Sequence, residues 1–243
     1  MEARNQNSAV EEPIPASPVF QATSVTDGVY SYLRNLIMSG KVPPGLSLRL
    51  NDLARELGVS TTPVRMALER LAADGFVIQE NRRTCKVAPL STSDFQDIYA
   101  VRRCLEGAAA RLGTQRLTNE DIDAMRMCLN MIEEIVSDRD PDVDLYLKTE
   151  WDMHEVCYRA SDNPRLFRET QAYRRQAERY FHLVLTEGGS LLDDLQGQRD
   201  FYLACSTRDH SLAEVVAVRM LDWTVERMVP TFAAIEQRRG TTV

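Results

Sequence analysis

The order of apolar residues between positions 24 and 90 restricts the fold more than any other feature of this chain. Apolar residues recur there at helical spacing in three short stretches, and turns that contain glycine separate the stretches. Ser24 is placed to cap the first helix. Thr62 is predicted to cap the third helix, because Pro63 would then occupy its first helical position. The second and third helices, joined by a short turn, predict a helix-turn-helix.

Two short strands are predicted after the third helix, near 76–80 and 84–88, with Asn81-Arg82-Arg83 as the polar tip between them. Three short helices followed by such a hairpin make a winged helix-turn-helix, whose third helix enters the major groove of DNA. Winged helices also serve as protein-binding modules. Periodicity alone therefore leaves a protein-interaction module as an alternative to DNA binding.

The candidate DNA contacts are polar and basic side chains around the third helix and the wing. Hydroxyl and free N–H groups at a helix N-terminus suit phosphate oxygens, and an arginine can bond a guanine edge through two hydrogen bonds. Residues 27–90 carry nine Lys/Arg and six Asp/Glu, a net charge of +3 in a chain whose net charge is −7. We expect DNA contacts from Arg49, Ser60, Thr61, Thr62, Arg65, Arg70, Arg82 and Arg83.

Composition excludes several other classes of protein. The 243 residues are 44% hydrophobic, yet no run of about 18 apolar residues exists, so we expect no membrane span. The N-terminus lacks a signal-peptide pattern, and residues 1–23 are predicted to be a flexible tail. Five cysteines, odd in number and never closely spaced, indicate reduced thiols in a cytoplasmic protein. We expect no enzyme, because nucleophile-elbow, P-loop and dinucleotide motifs are all lacking.

Residues 91–236 show helical periods and no strand alternation. Helices are predicted at about 91–116, 119–137, 143–160, 164–187, 191–206 and 210–235. These lengths predict an all-α antiparallel bundle, in which ligand sites lie between helices. The chain as a whole is thus predicted to be mainly α, with a winged helix-turn-helix at 24–90 and a helical domain for effector binding and dimerisation at 91–236.

Four polar side chains interrupt the apolar faces of the predicted bundle: Arg102, Glu150, His154 and Gln198. A buried charge needs a partner, so Arg102 implies an internal anion, either a carboxylate of the protein or one of a ligand. Glu150 and His154 are four residues apart and can bond each other or hold one cation. Alternatively, Arg102, Glu150 and His154 satisfy one another in the core.

The stretch from Leu33 to Leu90 contains several short motifs at fixed spacing: Pro44-Gly45, Leu53-Ala54, Leu57-Gly58-Val59-Ser60, Thr62-Pro63-Val64-Arg65 and Ala67-Leu68. It resembles the DNA-binding domain of the GntR family. The resemblance implies a bacterial transcription regulator that binds a palindromic operator as a dimer. Thr61 stands where the family usually has arginine, and Asn51 stands where relatives often have a charged DNA contact, so we expect Asn51 to reach DNA. The wing tip also lacks the usual glycine.

The second unit carries further motifs, namely Val101-Arg102, Leu105-Glu106, Ala160-Ser161, Asn163-Pro164 and Arg208-Asp209. It resembles the FCD effector domain of the fatty-acid-regulator-like GntR branch. Many such domains bind a divalent metal through an Asp, a His four residues later and two further histidines. The corresponding residues here are Glu150, His154, Gln198 and Met220. We expect no tightly bound metal from such a set, although it leaves room for a weakly held divalent cation at Glu150 and His154.

These observations favour a ligand-responsive, cytoplasmic transcription regulator that binds a double-stranded operator as a homodimer. A small anionic metabolite, a carboxylate, is expected to enter the bundle and contact Arg102, Glu150, His154 and Gln198. A helical-bundle metalloenzyme is the weakest alternative. Such enzymes use paired Glu-x-x-His motifs, whereas the spacing from Glu150 to His154 is different and occurs once.

Overall fold

The computed structural model describes residues 24–81, 83–186 and 195–240. This part of the chain contains nine helices and three strands, which confirms the mainly α class. It forms two compact units that divide between Ala88 and Pro89. Three predicted features lie outside the described residues: the tail at 1–23, Arg82 of the wing, and the break at Gly188-Gly189 with the start of the helix that follows it.

The first unit is a winged helix-turn-helix. Its elements are α1 (Val25–Met38), β1 (Ser47–Arg49), α2 (Leu50–Glu56), α3 (Thr61–Ala73), β2 (Val77–Asn81) and β3 (Thr84–Val87). Helices α1 and α2 both pack against α3, and β2 also contacts α3. One apolar core joins these elements, and its most deeply buried members include Val29, Leu33, Leu53, Val64, Leu71 and Phe76.

Two local predictions in this unit differ from the structure. Strand β1 was not expected, and it pairs antiparallel with β3 to give the sheet order β1-β3-β2. The prediction that Thr62 caps α3 is wrong, because the N-cap is Ser60, whose backbone is extended at φ −72° and ψ 163°. The first four N–H groups of a helix lack helical acceptors, so Pro63 fits the third helical position as well as the first.

The second unit is entirely helical over its described residues. Its helices are α4 (Thr92–Thr114), α5 (Asn119–Ser137), α6 (Val143–Arg159), α7 (Pro164–Thr186), α8 (Leu195–Ser206) and α9 (His210–Gly240). Local capping explains where three of these helices begin. The side chains of Ser91, Thr118 and Asp142 each accept a hydrogen bond from a backbone N–H of the following turn. Thr118 and Asp121 complete a reciprocal capping box at α5.

Helix α4 contacts α6, α7 and α9, while α5 packs against α6 and α8. Two apolar clusters result. One involves α4, α5, α6, α8 and α9 and includes Met125, Met153 and Phe201. The other involves α4, α7 and α9, where the Phe95 ring lies 5.1 Å from that of Tyr180. No helix in the described ranges is both long and apolar enough to span a bilayer.

Candidate functional site

The polar surface at the start of α3 lies in the first unit. Ser60 and Thr62 are exposed there, and Thr61 is half-buried. The Ser60 side chain makes no capping hydrogen bond, so its hydroxyl is not committed to the helix. Arg65 is exposed one turn later. Hydroxyl groups and first-turn N–H groups suit an anion such as a phosphate.

A cleft of about 270 Å³ separates α3 from the hairpin, and both Arg65 and Arg83 line it. The hairpin turn is held by Asn81, whose side-chain oxygen accepts a 2.9 Å hydrogen bond from the backbone N–H of Arg83. This bond provides the tight turn without glycine. Strand β1 places the exposed Arg49 opposite Thr84 of β3, so a third arginine lies beside the wing.

Arg70 is engaged differently from the other predicted DNA contacts. Its guanidinium pairs with Asp27 of α1 at 3.0 Å and lies 3.9 Å from the centre of the Tyr30 ring. Arg70 follows Arg65 by five positions, and residues five positions apart project about 140° apart around a helix. Arg70 and Arg65 are both exposed but project from different sides of α3. Asn51 is exposed at the start of α2.

A cavity in the second unit brings together all four polar residues predicted from the apolar faces. It measures about 540 Å³ including the part that opens to solvent, and α4, α6, α7, α8 and α9 contribute to its wall. The predicted residues Arg102, Glu150, His154 and Gln198 line it. Aromatic side chains form much of the remaining wall: Tyr99, Tyr146, Tyr158, Phe181 and Trp223. An apolar, aromatic lining with a few convergent polar groups is typical of a small-molecule site.

The internal anion that Arg102 requires is Glu106, one turn further along α4. The Arg102 Nε lies 2.5 Å from Glu106 Oε1, and both side chains are about 95% buried, with 4% and 5% exposed. Burial lowers the pKa of Arg102, but the neighbouring Glu106 outweighs burial and holds that pKa above its ordinary value. Glu106 was not predicted as a site residue, although its four-residue spacing from Arg102 was a usable signal.

Tyr158 connects this ion pair to His154. Its hydroxyl donates to Glu106 Oε2 at 3.1 Å and lies 3.1 Å from His154 Nδ1. Burial, followed by the Glu106 charge, raises the pKa of Tyr158 well above its usual range. The other imidazole nitrogen, Nε2, lies 3.0 Å from the side-chain oxygen of Gln198. One hydrogen-bonded chain thus links α4, α6 and α8.

Glu150 is paired with a residue that the sequence analysis did not identify. Its Oε2 lies 3.2 Å from Nη2 of Arg174 on α7, whereas its Oε1 is 3.9 Å from His154 Nε2, too far for a hydrogen bond. Burial raises the pKa of Glu150, but Arg174, His154 and Arg102 together lower it below its ordinary value. The idea that Arg102, Glu150 and His154 only satisfy one another is therefore wrong.

This donor set does not fit a divalent metal. Both ring nitrogens of His154 have protein partners, and the Glu150 carboxylate is held by Arg174. Gln198 and Met220 also line the cavity, but an amide and a thioether are weak partners for a hard cation. Within the described ranges, no group of three His, Cys, Asp or Glu side chains is arranged to hold a metal ion.

Two buried donors at the cavity lack protein acceptors. Arg102 Nη1 and the Tyr99 hydroxyl make no hydrogen bond to any described residue, and both side chains line the cavity. Burial raises the pKa of Tyr99 to about 12, so its hydroxyl keeps its proton at neutral pH. A buried donor without an acceptor costs about 1–3 kcal/mol. An oxygen-bearing molecule in the cavity would relieve this cost.

Two family models match the chain. The model for bacterial regulatory proteins of the gntR family matches residues 25–87, and the FCD domain model matches residues 97–223. The second match alone covers more than half of the chain.

Individual proteins show the same similarity. A probable D-xylose utilization operon transcriptional repressor from Paenarthrobacter nicotinovorans is 28% identical over 193 residues, which are 79% of this chain and 83% of that protein. An uncharacterized HTH-type transcriptional regulator from Agrobacterium vitis is 41% identical over 81 residues, 33% of this chain. The matched part spans about half of that relative, 47% of its length.

A solved structure shows the fold over most of the chain. E. coli McbR/YncC superimposes with a TM-score of 0.72 at 19% identity, covering 87% of this chain and 100% of that one. The similar proteins are described as transcriptional regulators and not as enzymes.

Proposed function

The chain belongs to the GntR family of bacterial regulatory proteins and carries an FCD domain, and on this basis we propose that it is a cytoplasmic transcription regulator that binds operator DNA. One observation carries the DNA-binding role: Arg65 on α3 and Arg83 beside the wing tip line the same cleft. This arrangement matches the two surfaces with which a winged helix contacts a duplex.

Each surface has a distinct role in the proposed complex. Helix α3 enters the major groove, where Arg65 bonds a base edge and the exposed hydroxyls of Ser60 and Thr62 contact phosphates. Arg49 and Arg83 contact the DNA phosphate backbone where it passes the hairpin. Arg70 supports α3 through its exposed ion pair with Asp27 of α1.

The proposed regulator acts as a homodimer on a palindromic operator. A unit with a net charge of +3 makes few phosphate contacts, so a single copy would bind weakly at physiological salt. Two copies on half-sites about 34–36 Å apart, or a multiple of that distance, double the contacts. Light scattering should therefore report about twice the chain mass of 27.6 kDa.

The proposed effector is a small carboxylate that enters the cavity of the helical unit. Its oxygens would accept hydrogen bonds from Arg102 Nη1 and the Tyr99 hydroxyl, the two donors that lack protein partners. The two carboxylates of the cavity do not repel it strongly, because Glu106 is balanced by Arg102 and Glu150 by Arg174. The aromatic wall would cover the carbon skeleton of the guest.

Fluorescence anisotropy with DNA from upstream of the protein's own gene tests the DNA-binding role. Arg65→Ala should weaken specific binding by about 1–3 kcal/mol, the cost of losing a bidentate base contact. Arg83→Ala should weaken binding to all DNA sequences alike and reduce the salt dependence of that binding. Arg168→Ala, which removes an exposed charge from α7, is the matched control and should bind like the parent. Equal binding by all three variants would contradict the proposed interface.

Thermal shifts with a panel of organic acids test the effector role. Tyr99→Phe removes a hydroxyl that has no protein acceptor, so the unliganded protein should melt at the same temperature or higher. The same variant should lose much of the stabilisation by an active acid, and of that acid's effect on DNA affinity. Tyr158→Phe is the control for losing an engaged hydroxyl, and it should melt earlier. An acid that acts equally on parent and Tyr99→Phe would argue against this site.

A further inference from the structure

Two thiols outside the cavity lie unusually close together. The sulfur of Cys157 on α6 is 3.7 Å from the sulfur of Cys205 on α8, although 48 positions separate the residues. The Thr114 hydroxyl of α4 lies 3.5 Å from each sulfur. Both cysteines have no exposed surface, and the cavity chemistry described above uses neither.

We propose that Cys157 and Cys205 form an oxidation site, in which a peroxide converts the two thiols into a disulfide between α6 and α8. The Cys205 sulfur attacks one oxygen of hydrogen peroxide, the O–O bond breaks, and the other oxygen leaves as water after taking the thiol proton. Cys157 then attacks the resulting sulfenic acid, the S–S bond forms, and the S–O bond breaks to release a second water. Two thiols lose two electrons, and one peroxide becomes two waters.

The surroundings distinguish the roles of the two sulfurs. The hydrogen bond between the two sulfurs, together with that to Thr114, outweighs burial and lowers the pKa of Cys205. The hydrogen bond with Cys205, together with burial, raises the pKa of Cys157. The lowered pKa favours Cys205 as the attacking thiol, since the thiolate is the nucleophile, while the 3.7 Å separation allows either sulfur to resolve the other. Hydrogen peroxide is close to water in size and reaches the pair through local opening of the bundle.

Disulfide formation would move the helices that carry cavity residues. A disulfide bond is about 2.05 Å long, so the sulfurs must approach by roughly 1.6 Å. Helix α6 has little room toward α4, because a Cβ on Gly113 would lie 1.9 Å from the Cys157 carbonyl oxygen. The helix on the other side of the bond, α8, carries Gln198 of the cavity wall. Because the Gln198 side-chain oxygen is hydrogen-bonded to His154 Nε2, oxidation changes the cavity wall. This consequence rests on the proposed function, whereas the oxidation itself does not.

The full chain is treated with hydrogen peroxide, quenched and digested without reductant. We expect an intact mass lower by two hydrogens and a linked pair of peptides containing Cys157 and Cys205, both reversed by dithiothreitol. Cys205→Ser should abolish the linked peptide. Cys128→Ala, which changes a half-buried cysteine on α5, is the matched control and should retain it.

Three results would overturn the oxidation site. The thiols could stay reduced after the exposed Cys104 is oxidised, the linked peptides could involve other cysteines, or linkage could occur only in urea-unfolded protein. The link to the cavity has its own readout, the effect of organic acids on the melting temperature of reduced and oxidised protein. An identical shift in both forms would refute that link while the mass data still decide the oxidation site. If the reduced parent protein does not bind DNA, that result counts against the proposed function and not against the oxidation site.

Discussion

Removing the carboxylate of Glu106 should destabilise the helical unit more than the loss of a surface ion pair. The Arg102 guanidinium is 4% exposed and 2.5 Å from that carboxylate, so Glu106→Gln leaves a buried charge without a counter-charge. Breaking such a pair costs about 3–5 kcal/mol. Arg102→Met should cost a similar amount, because it leaves the Glu106 carboxylate buried with only the Tyr158 hydroxyl as a donor.

The double variant Arg102→Met/Glu106→Leu should be more stable than either single variant. Both charges are then absent, and the remaining loss is the acceptor of the Tyr158 hydroxyl, which costs about 1–3 kcal/mol. The coupling energy of the cycle should therefore reach at least about 3 kcal/mol. Coupling of this size identifies the pair as a mutually dependent unit of the core.

Thermal denaturation followed by far-ultraviolet circular dichroism measures this cycle. A loss of about 1 kcal/mol lowers the melting temperature by roughly 2–4 °C in a protein of this size, so each single variant should melt well below the parent. Arg103→Leu is the matched control on the same helix, because Arg103 pairs with Asp222 at the surface. That variant should lose about 1 kcal/mol or less. Additive losses in the double variant would refute the reasoning.

Three further perturbations follow from the geometry. Gly113→Ala should destabilise the helical unit by several kcal/mol, because the new Cβ would lie 1.9 Å from the Cys157 carbonyl oxygen; a melt like the parent's would contradict this packing. Gly58→Ala should cost about 1–2 kcal/mol through backbone strain alone, since φ is +64° there and no atom lies within 4 Å of the new Cβ, and urea unfolding measures the loss. The free energy of unfolding should fall as pH drops below about 4.5, because the lowered pKa of Glu150 gives stability that is present above its ordinary pKa and lost as the folded carboxylate is protonated. Glu150→Gln should flatten that slope, and an unchanged acid profile would count against the Arg174 pairing.

Much of the local structure could be predicted from the sequence, because its causes act over a few residues. Ser91 and Thr118 cap helices through a side-chain oxygen and an N–H three residues later. Helical periodicity likewise put Arg102 and His154 on buried faces, and both line the cavity. The assignment of DNA contacts to Arg65 and its neighbours stays a prediction that the binding experiments test.

The sequence by itself determined the helices, the hairpin and the inward faces of Arg102 and His154, since a side chain's face depends on local helical geometry. Only the tertiary structure decided how those side chains are satisfied. Glu150 pairs with Arg174, 24 positions later, and Cys157 meets Cys205 across two helices. Strand β1 exists because its three residues find hydrogen-bonding partners on β3. Burying a polar group without a partner is costly, and helix and strand packing determines which distant residue provides that partner.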